Sequence, residues 1–589
     1  MFTTAGFAVE IDGAPLDDGF AAMLVYATVD LSMHLPDAFV LRFRDPDRTV
    51  ITKSGITVGS TVRIATITDP TPVPEPLTTG EVTALEMEYD STGTFTSVRG
   101  YDAAHRLLRG RRTASYTQVT ASDVVGEVAR GAGIELGTVD PTRTVFEHVS
   151  QCGQTDWEFL HGLARDVGFE LSIRDNKLDF RLPEPAATAP EQGGASDGEP
   201  NPLVLEFGKD IVRFRVGVTA AEQVAKVEVR GWDVVQKQPL MATAPAGTRS
   251  VELPTLSPAT AAAAFDDPVH VAVEVPYRTQ SQVDTAADAL ADRIGAAFAQ
   301  IEAVVRGNAR LKANQAVALA GVGVPFDGKY TVTAAYHRLD PVTGYTTSIS
   351  VTGRQPRSLH ALTSGTDRRG VGQGLVVALV TDAHDPIGQG RVRVKYPWLS
   401  DDFVSAWART VQPGAGKDRG AMVVPEVGDE VLVGFELGDP QQPYVLGGLF
   451  NGVDTPNQQG PVLIDPNSGS VNRRSWVSRR GHRIDLLDED GRTEGITLDA
   501  GAGAVTIGLD AVGTAITVTS SGTVTISGST GVVLDAGTGK LDLRGTEVSV
   551  TAIGTLALDG AAVSMKGKST AEVSATGLCV VKGTPVRIN

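Results

Sequence analysis

Cysteine is almost missing from this chain: two residues, Cys152 and Cys579, lie far apart in 589. That argues against a disulfide framework and fits a reducing compartment. No apolar run approaches the ~20 residues of a membrane-spanning helix. The first sixteen residues show no basic segment followed by an apolar core, so no secretory signal is expected. Cations are outnumbered, with 52 Lys and Arg against 70 Asp and Glu. The resulting net charge of -18 argues against nucleic acid as a partner, because phosphate contacts need clustered Lys and Arg. Aromatic residues make up 6% of the chain, and none follows Trp476. Whatever encloses the aliphatic side chains beyond that point must be narrow.

Those aliphatic side chains are the most organised feature of the sequence. From about residue 496 onward they form short period-2 runs: Val505/Ile507/Leu509, Ile516/Val518, Val524/Ile526, Val532/Leu534, Leu541/Leu543, Val548/Val550, Leu556/Leu558, Val563/Met565 and Val586/Ile588. Alternation of this kind places every apolar side chain on one face of a strand. The runs restart about every eight residues, too short for a strand–helix–strand unit and suited to stacked strands with tight turns. Only thirteen charged residues follow Glu494, so the rest of the surface is largely Thr, Ser and Ala. A ribbon with one apolar row per strand cannot cover itself, and its edges stay unpaired. Closure by radial repetition is the remedy. A single-chain β-helix needs about twenty residues per coil, whereas a repeat near eight supplies one side of a triangle. The expectation is therefore three identical chains, each contributing one face, with Val505, Ile507, Val524, Ile526, Leu541, Leu543, Leu556 and Leu558 at the core or the chain–chain seam. An antiparallel sandwich is the plainer alternative, disfavoured by the missing aromatics and long strands.

The length leaves room for three or four domains, and 65 Gly imply many turns in a mainly β chain. Residues 1–98 read as strands, broken at Asp45-Pro46 and at the proline cluster of residues 72–76. Helical spacing begins at residue 103, and a second helix opens near Ser122. Thr155 and Glu158 form a capping box for a third. Residues 169–173 and 177–182 form a strand pair joined by Asp175-Asn176. Residues 185–202, rich in Pro, Gly and Ala, read as a loop. A long helix is expected over residues 284–305, its stripe made by Ala287, Leu290, Ile294, Ala297, Phe298 and Ile301. Strands resume up to residue 352, so the first 355 residues form two β units, each interrupted by helical material. Five or six short strands between residues 374 and 448 suggest a small closed barrel of the OB type. A linker with Pro456, Pro461 and Pro466 follows.

Candidate chemistry is sparse. His482 and His384 have no second His or Cys at ligand spacing and read as structural. His105, His148 and His161 read as surface or interhelix residues. Glu426, Asp429 and Glu430 could do paired-carboxylate work, but alternation places them around a turn at Val427-Gly428. Asp488-Glu489-Asp490 reads as an exposed loop. Gly372-Gln373-Gly374 precedes a strand and makes no dinucleotide loop. There is no Gly-x-Ser-x-Gly, and Cys579 is expected to be buried as a small hydrophobe. No catalytic residue, cofactor or metal site is expected.

Two runs, Tyr101-Asp102-Ala103-Ala104-His105-Arg106-Leu107 and Gln154-Thr155-Asp156-Trp157-Glu158-Phe159-Leu160, resemble the hub region of phage tails and of VgrG proteins, the spikes of type VI secretion. The likeness continues through Gly168 and Leu178-Asp179-Phe180-Arg181. Asp385-Pro386, Gly390-Arg391-Val392, Tyr396-Pro397-Trp398, Trp407-Ala408-Arg409, Gln412-Pro413, the run Pro425 to Val431, Gly438-Asp439-Pro440 and the run Gly447 to Gly452 resemble the OB domain of baseplate spikes. Gly481-His482-Arg483-Ile484-Asp485 and Gly491 to Leu498 look like the spike neck. The resemblance implies a tandem β-barrel hub with helical insertions over 1–370, an OB-fold domain over 371–455, a linker and neck over 456–480, and a C-terminal intertwined trimeric β-helix needle over 481–589. It implies a non-enzymatic puncturing spike, a homotrimer joining the hexameric inner tube and baseplate to a membrane-piercing tip. A PAAR-type tip protein would sit on Val586, Ile588 and Asn589. Effector cargo would be a separate partner, since no fused toxin segment follows, and the target membrane would be met only on firing. Assembly would be cytoplasmic, within a contractile particle retained or released. The gap between residues 452 and 481 is too short for an inserted wall-degrading domain. A β-helical polysaccharide- or wall-active enzyme and a carbohydrate-binding tailspike are the alternatives.

Overall fold

A computed structural model describes residues 5–68, 71–191, 201–340, 344–354, 374–397, 399 and 402–588. The chain forms two compact units, Met1–Thr455 and Pro456–Asn589.

In the first unit both β segments contribute to one eleven-stranded sheet. Leu24–Ser32 of the first segment pairs antiparallel with Ala334–Asp340 of the second, with Val29 opposite His337. The two expected barrels therefore share one sheet across this seam. The alternating residues Phe39, Leu41 and Phe43 on one strand, and Ile301, Ala303 and Val305 on another, fall into the same buried core. Burial of such a continuous apolar layer is the main stabilising term for the hub. A four-stranded sheet containing Ala316–Ala320 and Gly328–Thr331 completes the second segment.

Each segment carries an insertion with its own core. In the first, the helix Ala121–Gly131 is opened by a capping box of Thr120 and Asp123. The helix Asp156–Val167 is opened by one of Thr155 and Glu158 and closed by Gly168 at φ +74°. Both caps satisfy orphan backbone donors that would otherwise fray the first turn. The hairpin Glu170–Arg174/Lys177–Arg181 turns on Asp175 and Asn176, both at positive φ as a type I′ turn requires. In the second insertion a three-stranded sheet packs Val227, Val229 and Leu240 against the helix Gln280–Ala296. That helix is shorter than the sequence suggests. Ala299–Arg306 is a strand with alternating burial, so Phe298 and Ile301 belong to the sheet core and not to the helical stripe. Four residues with β-branched or aromatic side chains (Phe298, Ile301, Val304 and Val305) favour the pleated surface once a neighbouring strand is available.

Residues 374–450 form a five-stranded sheet closed around Ala378, Val380, Val394, Tyr396, Val431 and Val445. Cys152 of the first insertion is part of this core. Trp398, one of the residues carrying the OB resemblance, lies outside the described residues.

Candidate functional site: an exposed apolar face in the second unit

Five antiparallel strands build the second unit: Arg473–Val477, Arg483–Glu489, Thr493–Ala500, Val505–Asp510 and Ala515–Ser520. Glycines and residues at positive φ (Gly491, Gly501, Ala502, Gly503, Thr514) allow the short turns between the later strands. The register puts two apolar rows across one face. Trp476 lies opposite Ile484, Ile484 opposite Leu498, Leu498 opposite Ile507, and Ile507 opposite Val518. The second row runs Leu486, Ile496, Leu509, Ile516. All nine side chains are 37–77% exposed.

The opposite face is ionic and covered. Arg483 pairs with Asp485 at 3.1 Å and with Asp499 at 3.3 Å, and Ser475 donates to Asp485 at 2.6 Å. The segment before the first strand closes over this cluster. Arg473 donates to the Asn457 carbonyl, Arg483 to Gln459, and the Asn472 amide to the Leu463 carbonyl. Asp485 and Asp499 are 2% and 8% exposed. Within one chain the sheet is thus inside out: the Arg483 cluster is sheltered and the hydrocarbon rows face water, with the exposed Arg474–Asp488 pair at their edge. Ordinary folding places them the other way round, and a contiguous exposed apolar face of this kind marks an interaction surface.

Residues 521–588 form no strand among the described residues, and all of them are exposed. The anticipated seam residues divide accordingly. Val505 and Ile507 lie on the outer face of the antiparallel sheet, whereas Val524, Ile526, Leu541, Leu543, Leu556 and Leu558 lie in the segment beyond it. Val586 and Ile588 are exposed, and Asn589 lies outside the described residues. Cys579 is exposed, contrary to expectation, because nothing within the same chain packs over it. The expected needle therefore begins with strands that pair within their own chain.

The candidate chemistry resolves into structural roles. His482 Nδ1 accepts from the Gly501 amide at 3.1 Å, and His384 bonds to Asp382 on the surface. The Glu426 amide donates to Asp429 at 2.8 Å across the expected turn, and Glu430 accepts from Asn451 at 2.9 Å. Asp488 and Glu489 belong to a strand and not to a loop. Of the three hub histidines singled out from the sequence, His105 is buried and His148 and His161 are half-buried between elements. His105 pairs with Glu81 at 2.8 Å, His148 meets the Val404 carbonyl at 2.9 Å between insertion and OB domain, and His161 packs on Trp157. Burial holds the His161 pKa down to about 3. Among the described residues no group of three or more His, Cys, Asp or Glu could hold a metal.

Sequence reading missed a buried junction of the hub. Both ring nitrogens of His34 are buried, and desolvation lowers its pKa. On the same loop Asp37 donates its amide to Asp102 at 3.1 Å. Burial raises both carboxyls, that of Asp102 to about 7. Arg354 binds Glu170, Asp292 and the Gly168 carbonyl. These residues lie hundreds of positions apart, and no local pattern announces them.

Residues 376–450 match the family of the type VI secretion system and phage-baseplate injector OB domain. Residues 75–340 match the Alg8 N-terminal domain, a range that falls within the hub. The spike protein VgrG3 of Vibrio cholerae is 33% identical over 115 residues, covering 19% of this chain and 11% of that protein. The spike protein VgrG1a of Pseudomonas aeruginosa is 40% identical over 96 residues, covering 16% of this chain and 14% of that protein. The matches thus span a small part of these curated relatives. A solved Francisella PdpA–VgrG complex contains a chain of the same fold, with a TM-score of 0.51, 6% identity and 86% of each chain covered. Residues 376–450 thus carry the injector OB domain shared by type VI secretion systems and phage baseplates, and the chain as a whole shares its fold with a chain of the PdpA–VgrG complex.

Proposed function

We propose that this chain is the structural, non-catalytic spike of a contractile injection system and works as a homotrimer. One observation carries the reading: the second unit hides an ion cluster and exposes two apolar rows. Fully burying an aliphatic or aromatic side chain stabilises by ~1.5–3 kcal/mol. Nine side chains that are roughly half exposed therefore hold on the order of 10 kcal/mol per chain in reserve. Three copies meeting face to face would release it and offset the entropy of association.

In this reading residues 1–370 form the hub and 371–455 the collar, with 456–480 the neck and 481–589 the needle. Two β segments per chain give a trimer six similar hub surfaces, which would match a three-fold spike to a six-fold inner tube and baseplate. Val505 and Ile507 begin the seam, and Val524, Ile526, Leu541, Leu543, Leu556 and Leu558 continue it. Val586, Ile588 and Asn589 form a platform for a PAAR-type tip protein, with effector cargo as a further partner. The particle is assembled in the cytoplasm. No cofactor, metal or nucleic acid takes part. The test is the solution mass of the intact protein. Light scattering is expected to give three times 61.7 kDa, and a folded species at 61.7 kDa would overturn the reading.

A further inference from the structure

We infer that the antiparallel sheet from Arg473 to Ser520 is the nucleus that aligns the three chains, and that the segment beyond it zips up in the register this sheet imposes. The inference rests on the trimeric reading above, and the docking partner of the exposed face is a second copy of this chain. It addresses a problem that the downstream sequence poses. Val524/Ile526, Val532/Leu534, Leu541/Leu543, Val548/Val550 and Leu556/Leu558 are chemically interchangeable pairs at nearly even spacing. Sliding one chain by a whole repeat sets apolar against apolar again, so these rows specify register weakly. No aromatic side chain breaks the degeneracy, because none follows Trp476.

The sheet supplies what those repeats lack. Its strands pair within one chain through short turns, so it can form before any other copy arrives. Its two faces are not interchangeable. A one-residue slip of the strand pairing within a chain would bring Arg483, Asp485 or Asp499 to the apolar side, where a charge cannot be buried unpaired, so each sheet has one internal register before it meets another copy. Trp476 ends one apolar row with a ring that no downstream residue duplicates, and it is 70% exposed in the single chain. Three such sheets therefore have one satisfactory alignment. The strand Ala515–Ser520 then delivers each chain to the start of the repeats at the same height.

Full-length variants test this by light scattering and by limited proteolysis mapped from the C-terminus. Leu498→Asp is expected to run at 61.7 kDa. Val580→Asp is expected to keep the wild-type trimer mass, with cleavage confined to the distal segment. Loss of both trimers, retention of both, or the reverse pattern overturns the inference. A monomeric wild type overturns the trimeric reading itself, which separates the two failures. Trp476→Ala guards against a folding defect, since the ring is exposed in the single chain. It should raise the trimer dissociation constant at least about tenfold, against less than about threefold for Leu558→Ala. Equal shifts overturn the inference.

Discussion

Arg354 offers the sharpest stability prediction in the hub. It follows the last strand of the second β segment, and its side chain is 6% exposed. Its Nε donates to Glu170 at 2.8 Å, Nη1 to Asp292, and Nη2 to the Gly168 carbonyl at 2.9 Å. One guanidinium thus ties that segment to the hairpin after one helix, to the helix of the second insertion, and to a helix C-terminus. The carboxylates of Glu170 and Asp292 are 7% and 18% exposed. Arg354→Met keeps most of the stem volume but strands both, and breaking a buried pair by removing one partner costs about 3–5 kcal/mol. The unsatisfied Gly168 carbonyl adds about 1 kcal/mol. Arg354→Lys, a single point charge in place of a planar fork, should lose about half as much. Replacing all three groups by neutral isosteres should recover most of the loss, because the desolvation penalty disappears with the charges. Trp157, buried on the helix that Gly168 ends, reports local unfolding in urea by fluorescence. An Arg354→Met protein within about 1 kcal/mol of wild type would refute the argument that this network holds the insertions to the sheet.

Three further predictions concern the antiparallel sheet, acid stability and the OB domain. Gly495 sits at φ +142°, and a Cβ there would lie 1.8 Å from the Leu509 carbonyl oxygen. Gly495→Ala should therefore break the antiparallel sheet and, on the proposed trimeric reading, the assembly with it, seen as the single-chain mass in light scattering. His34 and His161 are held neutral, with pKa values below the usual histidine range, so the unfolded chain takes up protons that the native hub does not. Their contribution is complete above about pH 6.5 and falls as pH drops toward about 3. Asp37 and Asp102 act in the opposite sense, because raised carboxyls favour the native state as pH falls. His161→Phe should flatten the acid-side loss in a urea midpoint series between pH 7 and pH 4, and an unchanged slope would count against it. Finally, Arg278 binds Glu436, Gln442 and Tyr444 between the second insertion and the OB domain. Glu436→Ala should cost about 1–3 kcal/mol and raise the rate of proteolysis in the OB domain.

Local chemistry was readable wherever one short stretch decides the outcome. Thr155 with Glu158 caps a helix because both partners lie within one turn. Asp175-Asn176 makes a hairpin because both tolerate positive φ. The OB strands and the C-terminal rows announce themselves by alternation. What depends on distant neighbours was not readable. Phe298 and Ile301 continue a helical stripe in sequence, yet a strand neighbour draws Ile301 into the sheet and Phe298, in the turn before it, into the sheet core. Val29 and His337 give no sign that two β segments share a seam.

Alternation alone puts the aliphatic residues beyond Glu494 on one face and the charged residues among them on the other, because side chains alternate along a strand with a period of two. Only the tertiary structure decided which face each chain covers. The segment ahead of Arg473 folds over the ions because Arg483, Asp485 and Asp499 satisfy one another there and offer it hydrogen bonds. The hydrocarbon face has no such cover within its own chain. The shelter it needs is therefore an assembly question and not a folding one.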